Sequence, residues 1–457
     1  MLFSSLLFLF QFIPIFFIIY YILPVRFRNV FLFLASLYFY AWGEPRFVFL
    51  ILISILVNYV AGRLLDYYED KKRIRKSILI VATLYNVGTL VFFKYINFII
   101  DNLNHIFQGE ISPLNVVLPI GISFYTFQIM SYIFDVYMKT VKADKSYINL
   151  GAYLCMFPQL VAGPIVVYTQ VSEKLQQRSY SLGNIEEGLK LFVLGLASKV
   201  LIANNVGGVF QDIEKIGYSN ISMPLAWLGI VSFALQIYFD FNGYSLMAIG
   251  LGKLLGFDFP MNFNYPYISK SITEFWRRWH ITLSTWFRDY LYIPLGGNRK
   301  GKVRTYINLF IVWATTGLWH GASWNYILWG IYFFVLLSME RLFLKKWLDK
   351  HQHLARVYAI CGILAGWVIF AISDLKDMGT FFYRLISFDF GQDWVYYLRN
   401  YGLIFFIGIL FSTPALSKWY RKYENKALGI ILLSVLFILS VAYLVDAAYN
   451  PFLYFKF

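Results

Sequence analysis

An all-α polytopic membrane protein is predicted by three features of this 457-residue chain: 59% of its residues are apolar, only 14% are charged, and apolar runs of helical length follow one another from end to end. A soluble domain usually carries about 25% charge. A soluble core also has no use for 46 Phe, 36 Tyr and 13 Trp beside so few charges. Crossing the hydrocarbon takes about 20 apolar residues in a helix. By that measure the expected spans are 4–23, 29–43, 46–65, 77–100, 116–138, 149–168, 188–210, 224–252, 305–319, 324–344, 355–373, 401–415 and 427–448. They make about 11 to 13 transmembrane or re-entrant helices, the shorter ones being the re-entrant candidates. No long polar linker separates them, so residues 1–457 read as a single integral membrane domain. Residues 1–145 are expected to be N-terminal packing helices, 146–344 a core around a cavity, and 345–457 C-terminal helices.

The first run, 1–23, has no Lys or Arg ahead of it and no small-residue cleavage site, and it is longer than the apolar region of a signal peptide. It reads as a retained transmembrane helix. Orientation follows from the positive charges: Arg26 and Arg28 follow the first span, Lys71, Lys72, Arg73, Arg75 and Lys76 the third, and Lys139, Lys142 and Lys145 the fifth. The alternate loops, near Glu44 and from Asp101 to Glu110, are nearly free of them. This alternation places the N-terminus outside in a multi-pass protein of a cytoplasmic membrane. The excess of 40 Lys and Arg over 25 Asp and Glu, +15, would suggest nucleic acid in a soluble chain. Here it marks cytoplasmic loops and membrane lipids, and no nucleic-acid partner is expected.

Beyond residue 145 the spans are interrupted by Gly163-Pro164, Gly207-Gly208, Pro260, Pro266 and Pro294-Leu295-Gly296-Gly297. Irregular backbone at membrane depth is tolerated where protein or a water-filled cavity surrounds it, so the middle of the chain is where a cavity is expected. There is no internal repeat of the kind that builds many transporters. Glycine pairs at Gly252/Gly256, Gly317/Gly321 and Gly362/Gly366 point to close helix packing. Cys155 and Cys361 both lie in apolar stretches, which leaves no disulfide framework and no CxxC zinc site.

Three features carry candidate chemistry. From Thr305 to Met339 there is no Asp, Glu, Lys or Arg, and a single histidine, His320, sits in Gly317-Leu318-Trp319-His320-Gly321-Ala322. An ionisable group in the membrane is a functional candidate by default; the alternative is a neutral core histidine bonded to a backbone carbonyl. The flanking glycines let a backbone or a substrate approach the ring. Asp240 is alone among charges from Pro224 to Gly252, and reads either as an orienting or proton partner for a histidine or as the cap of a broken helix. The third feature runs from Ser271 to Arg304. Trp276, Trp279 and Phe287 make an apolar stripe, and Arg277, Arg278, Arg288, Arg299 and Lys300 form either an interfacial helix face or a basic cytoplasmic mouth for a phosphate-bearing donor. In that segment Thr273 is read as opening a helix without a full capping box. His105, His351 and His353 fall in polar turns. There is no GxSxG, P-loop, HExxH or GxGxxG, and no metal site is expected.

The runs Ser271-Ile272-Thr273-Glu274-Phe275-Trp276-Arg277-Arg278-Trp279-His280, Leu295-Gly296-Gly297-Asn298-Arg299-Lys300-Gly301 and Leu318-Trp319-His320-Gly321-Ala322 together resemble the membrane-bound O-acyltransferase family, and within it the alginate O-acetylation branch. Phe39-Tyr40-Ala41-Trp42, Leu118-Pro119-Ile120-Gly121, Ala162-Gly163-Pro164 and Asn450-Pro451-Phe452 resemble it too, so the likeness covers nearly the whole chain. One departure is that the branch usually has Asp where this chain has Leu246, and Ser where it has Asn242. The resemblance implies helices around a central funnel or tunnel, with the acyl donor arriving from the cytoplasm and the acceptor from outside. It places the catalytic cavity in 146–344, matches His320 to the catalytic histidine and His280 to a second one, and implies acetyl-coenzyme A or another acetyl thioester as donor substrate with no bound cofactor. It further implies an extracytoplasmic SGNH-type O-acetyltransferase as partner and a polysaccharide as the indirect acceptor. A transporter or flippase with Asp240 and His320 as a proton relay is the reading from another class.

Overall fold

The computed structural model describes residues 1–423 and 427–446. The expected span at 4–23 is helix α1, Phe8–Ile22, and that at 29–43 is α2, Val25–Gly43. Then come α3, Pro45–Tyr67, and α4, Lys72–Phe107. The 36 residues of α4 rise about 54 Å, well beyond a hydrocarbon layer of about 30 Å. It continues through the loop expected at 101–110 and stops where Gln108 takes a left-handed conformation, so His105 lies on a helix rather than in a turn.

The next two expected spans are interrupted. Of 116–138 only α5, Ile122–Tyr137, is helical, and 149–168 breaks into α6, Tyr147–Cys155, and α7, Phe157–Leu160. Pro158 sits where the break falls, and Gly163 adopts a positive φ. Helix α8 is Ser172–Gln176. Long helices then return: α9, Leu182–Ile216, and α10, Met223–Leu254. Two short helices follow, α11, Ile272–Arg278, and α12, Ile281–Phe287. The chain continues with α13, Lys302–His320, α14, Trp324–Lys350, and α15, Gln352–Ala371. The remaining helices are α16, Leu375–Arg384, α17, Asp393–Phe411, α18, Ala415–Tyr420, and α19, Ala427–Asp446.

Among the described residues eight helices are long and apolar enough to cross a membrane, and no strand occurs. The protein is a multi-pass, all-helical membrane protein. Positions 447 and 448 of the last expected span, and the 450–452 motif, lie outside the described residues.

Packing groups the chain into two compact units, Met1–Phe192 with Ser245–Pro260, and Val193–Tyr244 with Met261–Phe457. These boundaries cut across the expected partition at 145 and 344, and fall inside α9 and α10. In the first unit the aromatic excess has a local cause. Phe8, Phe12, Phe16 and Tyr20 recur every four residues, on one face of α1, and stack with centroids 5.5, 5.8 and 5.6 Å apart. Phe157 meets Phe12 and Phe16 edge-on. Polar side chains in this unit answer one another: the amides of Asn58 and Asn86 exchange two hydrogen bonds of 2.8 and 2.9 Å between α3 and α4.

The second unit is built on the hairpin of α13 and α14. A Cβ placed on Gly330 would lie 2.4 Å from the Trp313 carbonyl oxygen and 3.3 Å from the Gly317 Cα, so the two backbones meet at these glycines. Gly330→Ala must therefore push α13 and α14 apart, and a loss of about 1–3 kcal/mol is expected, as for an overpacked core. Gly379→Ala on α16, where a Cβ meets nothing within 4 Å, is expected to hold or raise stability through helix propensity. Thermal unfolding of the two variants in detergent checks the contrast.

Candidate active site

His320 is the last residue of α13 and is 7% exposed. Rings surround it. Trp329 stands edge-on at 4.9 Å, Phe370 at 5.3 Å and Trp319 at 5.0 Å. Phe370 is held at the end of α15 by Asn325, whose amide donates to the carbonyls of Ile369 and Phe370 at 3.3 and 3.1 Å. The glycines beside His320 serve packing. A Cβ on Gly321 would fall 2.3 Å from the Tyr326 ring, and one on Gly317 2.3 Å from the Tyr326 carbonyl oxygen. The space next to the histidine that the sequence left for a backbone or a substrate is taken by Tyr326 and the α14 backbone.

His280 joins α11 to α12 with φ 44°, in the left-handed region where a non-glycine residue is uncommon. It is 1% exposed. Phe241 lies edge-on at 4.7 Å and Trp319 at 6.0 Å, so the same tryptophan touches both histidines. Burial, and then the charge of His320, hold its pKa well below the usual histidine value. Its Nδ1 lies 3.1 Å from Asn262 Oδ1. That oxygen also accepts from the Thr282 amide at 3.3 Å and the Thr282 hydroxyl at 2.9 Å.

The start of α11 differs from its reading in the sequence. Ser271, not Thr273, caps the helix: its hydroxyl accepts from the Glu274 amide at 2.9 Å, and the Glu274 carboxylate accepts from the Lys270 amide at 2.9 Å. A second carboxylate, Glu340 of α14, is buried and accepts from the amides of Ile272 and Thr273 at 2.5 and 2.9 Å and from the Thr273 hydroxyl at 2.5 Å. Trp276 and Trp279 point into the core of the unit rather than forming a lipid-facing stripe.

The proposed basic mouth is only partly a cluster of free charge. Arg278 pairs with Glu274 at 2.9 Å and Arg288 with Asp289 at 2.7 Å, whereas Arg277, Arg299 and Lys300 are exposed. Asp240 is 2.6 Å from Lys199 Nζ, and the two side chains are 3% and 2% exposed. Lys199 is the only charge between Lys190 and Asp212, a signal weaker than that of Asp240 because Lys190 shares its expected span. Glu340, the first acid after the uncharged stretch, was legible in the same way. Asn262 had no local signal, because its partner lies 18 residues on. Among the described residues no three His, Cys, Asp or Glu side chains converge as a metal-binding set.

Residues 34–376 of this all-helical membrane chain match the membrane-bound O-acyltransferase family. The chain belongs to that family and is an acyltransferase. A probable alginate O-acetylase of Pseudomonas putida is 38% identical over the whole of both chains. A probable alginate O-acetylase of Pseudomonas aeruginosa is 40% identical over 85% of this chain and 75% of its own length. A peptidoglycan O-acetyltransferase of Helicobacter pylori is 35% identical over 82% of this chain and 78% of its own.

Two outcomes follow from the site. Removing one partner of a buried ion pair strands the other charge, so Lys199→Met alone is expected to lose about 3–5 kcal/mol. Lys199→Met combined with Asp240→Leu should recover most of that loss in detergent unfolding. The second concerns acid. The folded-state pKa of His280 lies below its unfolded value, so the unfolded chain takes the proton first. Stability is full above the unfolded value of about 6.5 and declines as pH falls toward the folded one. The unfolding midpoint is expected to drop more steeply on acidification in wild type than in His280→Gln.

Proposed function

We propose that this chain takes an acetyl group from a cytoplasmic thioester, acetyl-coenzyme A or a related carrier, and passes it across the membrane for O-acetylation of an extracytoplasmic polysaccharide. The observation that carries the proposal is His320, a buried imidazole ending a helix inside the family-matched segment 34–376. The relatives' own activities, alginate O-acetylation and peptidoglycan O-acetylation, support the acyl group and the class of acceptor. An alginate-like exopolysaccharide and peptidoglycan are the two acceptors they suggest. A separate extracytoplasmic SGNH-type acetyltransferase completes the transfer to the polymer. The alternation of basic loops in the first 145 residues supports a bacterial inner membrane with the N-terminus outside.

In this reading the neutral imidazole of His320 is the general base. An acceptor hydroxyl attacks the thioester carbonyl, and His320 takes the hydroxyl proton as the new C–O bond forms. The C–S bond then breaks, and the thiolate leaves with the proton returned from the imidazolium. The ring of Trp329, Phe370 and Trp319 keeps water from competing as nucleophile. Exposed Arg277, Arg299 and Lys300 attract the phosphates of the donor.

General-base catalysis contributes roughly a hundred- to ten-thousandfold. His320→Gln should lower both thioester turnover by the purified protein and polymer O-acetylation in cells by an amount in that range. Wild-type acetylation with His320→Gln would overturn the assignment.

A further inference from the structure

The role of His280 can be read from the hydrogen-bond logic around Asn262. Three contacts converge on Asn262 Oδ1: the Thr282 amide, the Thr282 hydroxyl and His280 Nδ1. A backbone N–H only donates, so the Asn262 atom that meets it is the carbonyl oxygen and not the NH2 group. An amide oxygen has no hydrogen to give, so in the third contact His280 Nδ1 must be the donor. A neutral imidazole has one N–H, and with that hydrogen on Nδ1 the other nitrogen, Nε2, presents a lone pair.

We propose that Asn262 is a positioning residue of the acyl-transfer site: it fixes His280 in the Nδ1–H tautomer, so that His280 takes part as a hydrogen-bond acceptor at Nε2. The inference rests on the acyl-transfer reading of the site. The backbone supports it independently. The Asn262 carbonyl accepts from the Ile281 amide at 2.9 Å and the Asn264 amide donates to the Arg278 carbonyl at 2.9 Å, so the 262–264 segment holds the chain on both sides of the left-handed residue. The ring is confined between Phe241 and Phe263, whose centroids are 4.7 and 6.5 Å away. Held this way, neutral His280 cannot polarise a thioester carbonyl by donating to it from Nε2. What it accepts there is a hydrogen bond from a hydroxyl, a thiol or the imidazolium that His320 becomes.

Asn262 also ties down the start of α12, and the test separates the two roles. Full-length protein labelled with 15N-histidine, in lipid nanodiscs, reports the tautomer directly, with His280→Gln assigning the signal. Wild type is expected to carry the proton on Nδ1. In Asn262→Leu the signal should shift toward Nε2–H, and kcat for acetyl-coenzyme A turnover should fall roughly ten- to a hundredfold, by analogy with the hydrogen-bond partners that orient metal-ligating histidines, with KM nearly unchanged. Asn262→Asp keeps an acceptor for Thr282 and for Nδ1–H but stabilises the imidazolium. Phe241, Phe263, Trp319 and Asn262 contact the His280 ring, and His320 is a titratable group close enough to act on it through charge. Asn262→Asp is therefore expected to retain the tautomer and move the acid limb of kcat to higher pH. A wild-type Nε2–H signal, or an Asn262→Leu protein with unchanged tautomer and kcat, overturns the proposal, as does an Asn262→Asp pH profile identical to wild type. An Nδ1–H signal in a wild-type protein that turns over no thioester overturns the donor assignment instead and leaves the tautomer standing.

Discussion

Polar groups carried into the apolar interior of this chain must be answered by other groups of the chain, because lipid supplies neither donors nor acceptors. The consequences recur at every scale. Asn58 and Asn86 trade amide bonds between two long helices, Lys199 and Asp240 pair at 2.6 Å, and Glu340 takes up the free amides at the head of α11. The two buried histidines obey the same constraint. His280 is bonded to an amide oxygen, and aromatic rings pack against both histidines.

That packing gives the aromatic excess a chemical meaning. Around His320 stand the edges of Trp329, Phe370 and Trp319. For the general base proposed above, the proton gained beside these rings is the one returned to the leaving thiolate. Stability and reactivity thus come from the same packing. The hairpin that brings α13 against α14 through Gly317 and Gly330 also sets the position of His320 at its turn.

Much of this was legible in the sequence, and the parts that were not share a cause. The all-helical membrane class follows from scarce charge together with successive apolar runs of helical length, and His320 stands out because no Asp, Glu, Lys, Arg or other His lies between Thr305 and Met339. The family motifs matched because they are long and ordered. Where helices break was harder. The 149–168 run is mostly apolar, yet the helix breaks at Met156, where Pro158 in the first turn of α7 supplies no N–H to continue α6, a backbone effect to which hydropathy is blind. Pairings across the fold were harder still. Asp240 seemed isolated only because Lys199 comes from another helix, and a linear scan reports residues without their partners. Asn262 lies in an ordinary stretch, and only folding brings it to His280.

The left-handed backbone at His280 acts as a filter on what evolution can place there. Glycine adopts it freely, β-branched side chains are strongly disfavoured by sterics, and among the other non-glycine residues Asn, Asp and His tolerate such a conformation best. All three carry a hydrogen-bonding side chain. The turn that joins α11 to α12 therefore preselects chemistry: a chain that keeps this bend tends to keep a polar group at its apex, whichever substrate the surrounding helices are later shaped to accept.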